Sequence, residues 1–193
     1  MASFTVKAIK ETFLKLLNEK PLNQITVKDI VEECGINRNT FYYHFEDLPT
    51  LLNEILIEDA DRVIAAAHGA ESLEICMDMT ISMAIENKRA VMHIYNSSNR
   101  EAFETYLNRL CQYTIEQYIE KTVPVLDMPD EDRRLLIKFY KCECMGQILD
   151  WLDAKMSYDI QSEFHRLCEL MSGFTETAVM RSLDQKKKPS GRI

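Results

Sequence analysis

Residues 24–52 read QITVKDIVEECGINRNTFYYHFEDLPTLL, and the fold turns on this stretch. Thr26 is placed to cap a helix, its side-chain oxygen accepting from an unpaired backbone N–H. Val27, Ile30 and Val31, at i, i+3 and i+4, give that helix one apolar face. Gly35 ends it, where left-handed backbone costs least. Ile36 follows as an expected buried plug, and Asn37 caps the next helix. Over Arg38–Phe45 only Phe41 and Phe45 are expected to point inward, leaving Arg38, Asn39, Thr40, Tyr42, Tyr43 and His44 outside. Two short helices around a Gly turn, the second faced with donors and rings, make a helix-turn-helix. That second helix has the width and chemistry to enter a DNA major groove.

Upstream, Ser3–Glu19 reads as a helix with Ile9, Phe13, Leu16 and Leu17 on its inner face, stopped by Pro21. It is expected to pack over the two motif helices, which bury too little apolar surface alone. Lys7, Lys10 and Lys15 are candidates for the DNA backbone or for a solvated face. Downstream, Asp47 caps a long helix with Pro49 in its first turn, running to about Ala67 and closed by His68-Gly69. Such a helix touches the head at one end and the rest of the chain at the other, a natural lever. The expected domains are residues 1–47, residues 48–185 and a disordered basic tail, 186–193.

Beyond Ser72 the pattern is helical throughout. Leu73, Cys76, Met77, Thr80, Met83 and Ala84 form one stripe, and a short helix spans about Lys88–Tyr95. Phe103, Tyr106, Leu107, Leu110, Cys111, Thr114 and Tyr118 form another, ending before Val123-Pro124. Between Leu135 and Leu152 apolar residues fall on nearly every side, so that helix must be buried on more than one face. A last helix is expected over Ser157–Leu183, with Gly146 and Gly173 as close-approach positions inside helices. One chain has little left to cover both helices. A second copy would, through a two-fold four-helix interface that includes Leu149, Phe164, Met171, Phe174 and Ala178. The fold class is therefore all-α: a three-helix reading head followed by a helical domain that dimerises, about nine helices in all.

Composition narrows the function. The 193 residues carry 46% hydrophobic residues but only 5 Gly and 5 Pro, which favours a compact helical protein. No apolar run approaches the roughly 18–20 residues of a membrane span, and the N-terminus lacks the order of a secretion signal. A cytoplasmic protein with no membrane partner is expected. Its six cysteines then read as reduced and apolar rather than as disulfides or a metal centre. Cys142 and Cys144 fall about 200° apart on one helix, which opposes shared ligation. No cofactor is implied. There is no Gly-rich phosphate loop, HExxH, G-x-S-x-G or CxxC, so an enzyme is not expected. Net charge is −8. Residues 1–47 hold six Lys or Arg against seven Asp or Glu, a balance of −1, which leaves −7 for the remainder. Non-specific DNA affinity is expected to be modest and steeply salt-dependent, resting on few phosphate contacts.

The run ITVKDIVEECGINRNTFYYHFEDLPTLL resembles the DNA-binding domain of the TetR family of bacterial transcription regulators, in the spacing of Thr26, Ile30, Gly35, Thr40, Phe41, Tyr42, His44 and Phe45. The C-terminal half resembles regulators associated with dihydroxyacetone kinase operons. The resemblance implies a homodimer on double-stranded DNA, with Tyr42 and His44 on phosphates and Lys28 at a position that reads a base. From its chemistry Arg38 suits guanine O6 and N7, and Asn39 suits adenine. Thr26 and Thr40 have hydroxyls for phosphate, and Tyr43 suits a sugar or a thymine methyl. Leu48 stands where the family commonly has a backbone-contacting lysine. The resemblance also implies an apolar pocket for an unknown small-molecule effector, or a protein partner in its place. His93, Tyr95, Tyr113, Tyr140 and His165 are the candidate polar anchors. These readings point to a ligand-responsive regulator, a repressor, on a palindromic operator. The alternative is a protein-interaction module or co-regulator that kept the helix-turn-helix with weak or no DNA binding.

Overall fold

The computed structural model describes residues 2–67, 73–122 and 128–187. Among the described residues there are ten α-helices, one 3-10 turn and no strand. In order they are α1 Ala2–Glu19, the 3-10 turn Leu22–Gln24, α2 Val27–Cys34, α3 Arg38–His44 and α4 Leu48–Ala67. Then come α5 Leu73–Glu86, α6 Lys88–Tyr95, α7 Arg100–Thr122, α8 Asp130–Asp153, α9 Ile160–Leu170 and α10 Phe174–Lys187. The all-α class expected from the sequence is borne out. The expected helix stops at His68-Gly69 and Val123-Pro124, and residues 188–193 of the expected tail, lie outside the described residues.

The chain gathers into two compact units. One takes the residues up to Ala66 together with Thr80–Arg109; the other takes Ala67–Met79 and the chain from Leu110 onward. In the first, Ile9, Phe13, Leu16 and Leu17 bury the inner face of α1 as their spacing predicts. Each such side chain contributes about 1.5–3 kcal/mol on burial. The helix packs on α2, as expected, and also on α6, which no local pattern announces. At that contact His93 Nδ1 lies 2.7 Å from the carbonyl oxygen of Leu17, in the last turn of α1. The ring thus satisfies a carbonyl that has no partner within its own helix.

α4 is tied on two sides. Lys10 of α1 reaches Glu54 at 3.2 Å and Glu58 at 2.7 Å, with its ammonium 5.7 Å from the Phe45 ring centre. Only 9% of Lys10 is exposed, so it belongs to the fold and is not available to DNA. On the other side, the Tyr106 hydroxyl of α7 donates to Asp59 at 2.7 Å and Arg109 reaches Asp61 at 2.6 Å. Burial, with Asp59 beside it, pushes the Tyr106 phenol well above its usual range.

In the second unit α7 buries Leu110, Cys111, Ile115 and Ile119; the last two are fully covered although the expected stripe ran through Thr114 and Tyr118 instead. α8 buries Leu136, Ile137, Cys144, Ile148, Trp151 and Leu152. The turn after it takes Lys155 and Met156 through positive φ and is held by Trp151 Nε1 donating to the Tyr158 carbonyl at 3.0 Å. The single last helix expected from the sequence is two helices. Gly173 sits at φ 79, a left-handed conformation that cannot continue an α-helix, so α9 stops and α10 begins at Phe174. Gly173 is thus a chain break and not a close-approach position.

Candidate nucleic-acid interface

Local hydrogen bonds set the head. Thr26 caps α2 in both directions: its hydroxyl oxygen accepts from the Asp29 N–H at 3.2 Å, and Asp29 Oδ2 accepts from the Thr26 N–H at 2.7 Å. Gly35 closes α2 at φ 68, and the Ile36 N–H returns to the Val31 carbonyl at 3.0 Å. Ile36 itself is half-buried rather than the buried plug expected. Asn37 caps α3 by accepting from the Thr40 N–H at 2.8 Å. Phe41 and Phe45 are buried, and α3 is left held at its base with Arg38, Asn39, Tyr42 and Tyr43 exposed and His44 half-buried. Tyr42 is 55% and Tyr43 83% exposed, values for rings displayed to solvent rather than packed. His44 meets Tyr43 edge-on, with centres 4.9 Å apart.

Thr26 and Thr40 stand apart from this exposed set. The Thr26 hydroxyl donates to Asp29 Oδ2 at 2.7 Å and that of Thr40 to Asn37 Oδ1 at 3.1 Å. Both protons serve the caps that aim the helices. Asp29 is the residue the sequence reading passed over, although T-x-x-D is a spacing that a capping box uses. Hydrogen bonds from Thr26, its side chain first, and then from Lys20, hold its carboxyl down at about 2.

Carboxylates claim most of the positive charge in the head. Lys7 pairs with Glu11 at 3.7 Å, Lys15 with Glu33, Lys20 with Asp29 at 3.0 Å and Lys28 with Glu32 at 3.6 Å, beside the Lys10 pairs already described. Of the six cations in residues 1–47, Arg38 is the one with no carboxylate partner among the described residues. The start of α4 does not compensate. Pro49 has no N–H, and the Thr50 N–H is taken by Asp47 Oδ1 at 2.8 Å, which leaves the Leu48 amide among the first three positions. That bond, from the Thr50 backbone, lowers the Asp47 pKa, so a charged carboxylate stands beside it.

A model of bacterial regulatory proteins of the tetR family matches residues 11–55, the head just described. A second TetR model, a transcriptional regulator C-terminal region, matches residues 71–173, more than half of the chain. The chain belongs to the TetR family. It is 24% identical over 127 residues to an uncharacterized HTH-type transcriptional regulator, YvdT of Bacillus subtilis (strain 168). That match covers 60% of this chain and 65% of YvdT, just under two thirds of the relative's length. Among solved structures, the dihydroxyacetone kinase operon activator DhaS superposes with a TM-score of 0.73 at 17% identity, covering 90% of this chain and 97% of its own. A TetR transcriptional regulator from Rhodococcus sp. RHA1 follows with a TM-score of 0.59 at 15% identity, covering 89% and 98%. At these identities the likeness is one of fold.

The TetR-family chain does not bring the five candidate effector anchors together. His93 is bound to α1, and Tyr95 is buried under the Arg100 guanidinium, 4.0 Å from its ring centre. Tyr113, a residue of α7, is half-buried and is not without a partner. Tyr140 meets Thr175 Oγ1 at 2.5 Å, and His165 meets Asp78 at 3.1 Å. None of the five lines either of two grooves in the second unit, one of about 740 Å³ along α8 and α10 and one of about 620 Å³ along α8 and α9. The five residues named for the dimer face separate as well. Phe174 is exposed, Leu149, Met171 and Ala178 are half-buried, and Phe164 is buried in its own subunit at 3%. Leu135, Phe139, Leu170 and Met180 are exposed and were not named. Among the described residues no three His, Cys, Asp or Glu side chains are grouped to hold a metal, and no helix is long and apolar enough to cross a membrane.

Proposed function

We propose that this protein is a homodimeric repressor that places α3 of each subunit in successive major grooves of a palindromic operator, with half-site centres about 34–36 Å apart. The observation that carries it is the unspent donor set on α3: Arg38 free of any carboxylate, beside exposed Asn39, Tyr42 and Tyr43 on a helix capped at its start. Arg38 reads guanine, and Asn39 reads adenine. Tyr42, Tyr43, His44 and Lys28 hold backbone or sugar, while Thr26 and Thr40 aim the two helices. Residues 1–47 are the reading head in this proposal, and α4 carries changes to it. An effector or protein partner releases DNA by preferring a different spacing of the two heads. The polar anchors are not needed for that response, since His93, Tyr95, Tyr140 and His165 already have partners within the chain.

One observation favours a second reading. A head with five of six cations neutralised, and with Leu48 where a lysine is common, fits a co-regulator that binds DNA weakly or not at all. Fluorescence anisotropy on the protein's own promoter region separates the two. The repressor reading expects palindrome-specific binding at moderate salt, lost in the Arg38→Ala/Tyr42→Ala double variant, with transcription falling as occupancy rises. Absence of palindrome-specific binding sinks it in favour of the co-regulator. Transcription that rises with occupancy sinks repression alone.

A further inference from the structure

Cys111 on α7, Cys144 on α8 and Cys168 on α9 come together in the second unit, although no spacing along the chain joins them. Two contacts fix how α7 lies on α8. Glu120 meets Arg133 at 3.0 Å, and the Tyr118 ring meets Tyr140 edge-on with centres 5.8 Å apart. The two helices are therefore antiparallel. Counted from the tyrosines at about 1.5 Å per residue, Cys111 lies about 10.5 Å along and Cys144 about 6 Å. Counted from the ion pair, they lie about 13.5 Å and about 16.5 Å along. The two ties bracket one level, so the thiols stand side by side. Both are buried, with 4% and 2% of their surface exposed. Burial pushes the Cys144 thiol well above its usual range, and Cys111, Glu143 and Cys168 beside it add to the rise. Cys168 is half-buried, one turn beyond buried Phe164 on the same face of α9. Cys142 is exposed on the far side of α8.

We propose that Cys111 and Cys144 hold a soft divalent metal ion of the mercury(II) class between two thiolates, and that this ion is the effector of the regulator. The effector role rests on the ligand-responsive reading above; the site itself does not. The donors choose the ion. Thiolates favour soft metals. Zinc takes four ligands in a tetrahedron, and among the described residues no three His, Cys, Asp or Glu side chains are grouped to supply them. A two-coordinate ion needs only the facing pair. Lys141 and Glu143 both lie near the pair and offset each other. Two thiolates on a monovalent ion would therefore leave a net negative charge in an apolar core, whereas on a divalent ion the complex is neutral. Neither groove is lined by a cysteine, so the occupant is a bare ion and not an organic molecule. In the exchange two S–H bonds break, two mercury–sulfur bonds form, and both protons leave to water. Cys168, the half-buried thiol, meets the ion first and passes it inward. α7 is the route to the head, since Tyr106 and Arg109 in its first half hold Asp59 and Asp61 of α4.

The test loads the full chain with mercury(II) chloride and washes it with excess glutathione, a monothiol that strips ions held by a single cysteine. One mercury per chain is expected to remain, with two sulfurs as its nearest shell in X-ray absorption. Cys111→Ala and Cys144→Ala each lower retention at least about a hundredfold. Cys142→Ser keeps it, and Cys168→Ser slows loading alone. No mercury retained, retention that survives both alanine variants, or a shell of three or more ligands overturns the site. The shell is read on the unsubstituted chain, so a variant that fails to fold does not blunt the test. Operator anisotropy then tests the effector role: mercury lowers operator affinity at least about tenfold in the wild type and leaves Cys144→Ala unchanged. Retained mercury with operator affinity not lowered overturns the effector role and leaves the site standing. No operator binding by the metal-free protein overturns the repressor reading instead.

Discussion

Raising salt from about 50 to about 200 mM separates two accounts of how the head holds DNA, because each neutralised phosphate contributes about −0.9 to the slope of log K against log salt. If all six cations of each head met phosphates, a dimer would show a slope of about −11 and lose about three-millionfold in affinity over that range. The structure leaves one unspent cation per head, Arg38. Arg38 is proposed to read guanine, and its charge in the groove counts as at most one neutralised phosphate per head, so the two copies set a slope of about −2 at the steepest, a loss of about tenfold. Lys28, held to Glu32 at 3.6 Å and mostly exposed, is the next cation to swing free. Its release brings the slope to about −4 and the loss to about 150-fold. The steep dependence expected from the sequence gives way to a shallow one, since few contacts mean few released counterions. The assay is fluorescence anisotropy of a labelled operator duplex across that salt range. Glu32→Gln, by freeing Lys28, moves the slope toward about −4, and Arg38→Ala lowers affinity and flattens the slope by up to about 2. A wild-type slope steeper than about −6 refutes the reasoning, because it requires cations that the structure assigns to carboxylates.

Three further outcomes follow from the fold. Lys10→Ala leaves Glu54 and Glu58 facing each other without their cation and costs about 1–2 kcal/mol in urea unfolding, the figure held down because both carboxylates are well exposed; Lys10→Met recovers the packing part. Asp29 titrates at about 2 in the folded chain, below its ordinary 3.8, so its contribution is fully present above that ordinary value and is lost as pH falls from there through about 2. Acid unfolding followed by circular dichroism should therefore lose this component in Asp29→Asn and in Thr26→Val, with little difference in slope between wild type and variants above pH 5. Gly173→Ala, at φ 79, costs about 1 kcal/mol, whereas Gly146→Ala leaves the isolated subunit no less stable; equal effects at the two sites in thermal melts contradict the assignment of Gly173 as the break between α9 and α10.

The head was legible because its determinants are local. Thr26 and Asp29, Val31 and Ile36, Asn37 and Thr40, Phe41 and Phe45 lie within five residues of each other, so spacing alone reveals caps, turn and core. The second half offered periodicity without partners. Its stripes gave helix existence and approximate length, but a pattern of period 3.6 does not say which neighbour each face meets. Ile115 and Ile119 were missed for that reason, and Phe164 was assigned outward although it fills its own subunit. Gly173 was expected inside a single last helix, as a close-approach position. One Gly in a helical pattern is either tolerated or terminal, and only its positive φ decides. For the site, sequence ranked Arg38 among several cations. The ion pairs that removed the others run from α1 to α2 or α4 as well as along single helices, and the longer ones, Lys10 to Glu54 and Glu58 above all, have no signature in spacing.

The same long-range ties bear on how the proposed regulator would move its heads. A boundary at residues 47 and 48 suggests a head that pivots where α4 begins. The polar contacts argue for a larger moving piece. Lys10 fixes α1 to α4, His93 fixes α6 to the end of α1, and Asp59 and Asp61 fix α4 to the first half of α7. Bending at residue 47 breaks the first of these and exposes a lysine that is nearly buried. Carrying α1 to α4 together with α6 and the first half of α7 breaks none of them. A change in head spacing that costs only a few kcal/mol is therefore cheaper as a displacement of that whole unit. The consequence is measurable at a position far from DNA: His93→Ala loosens α6 from α1 and leaves every α3 donor in place. If the unit moves as one, that variant should bind operator with near wild-type affinity in the absence of effector but lose part of the response to it. An unchanged response would return the pivot to the start of α4.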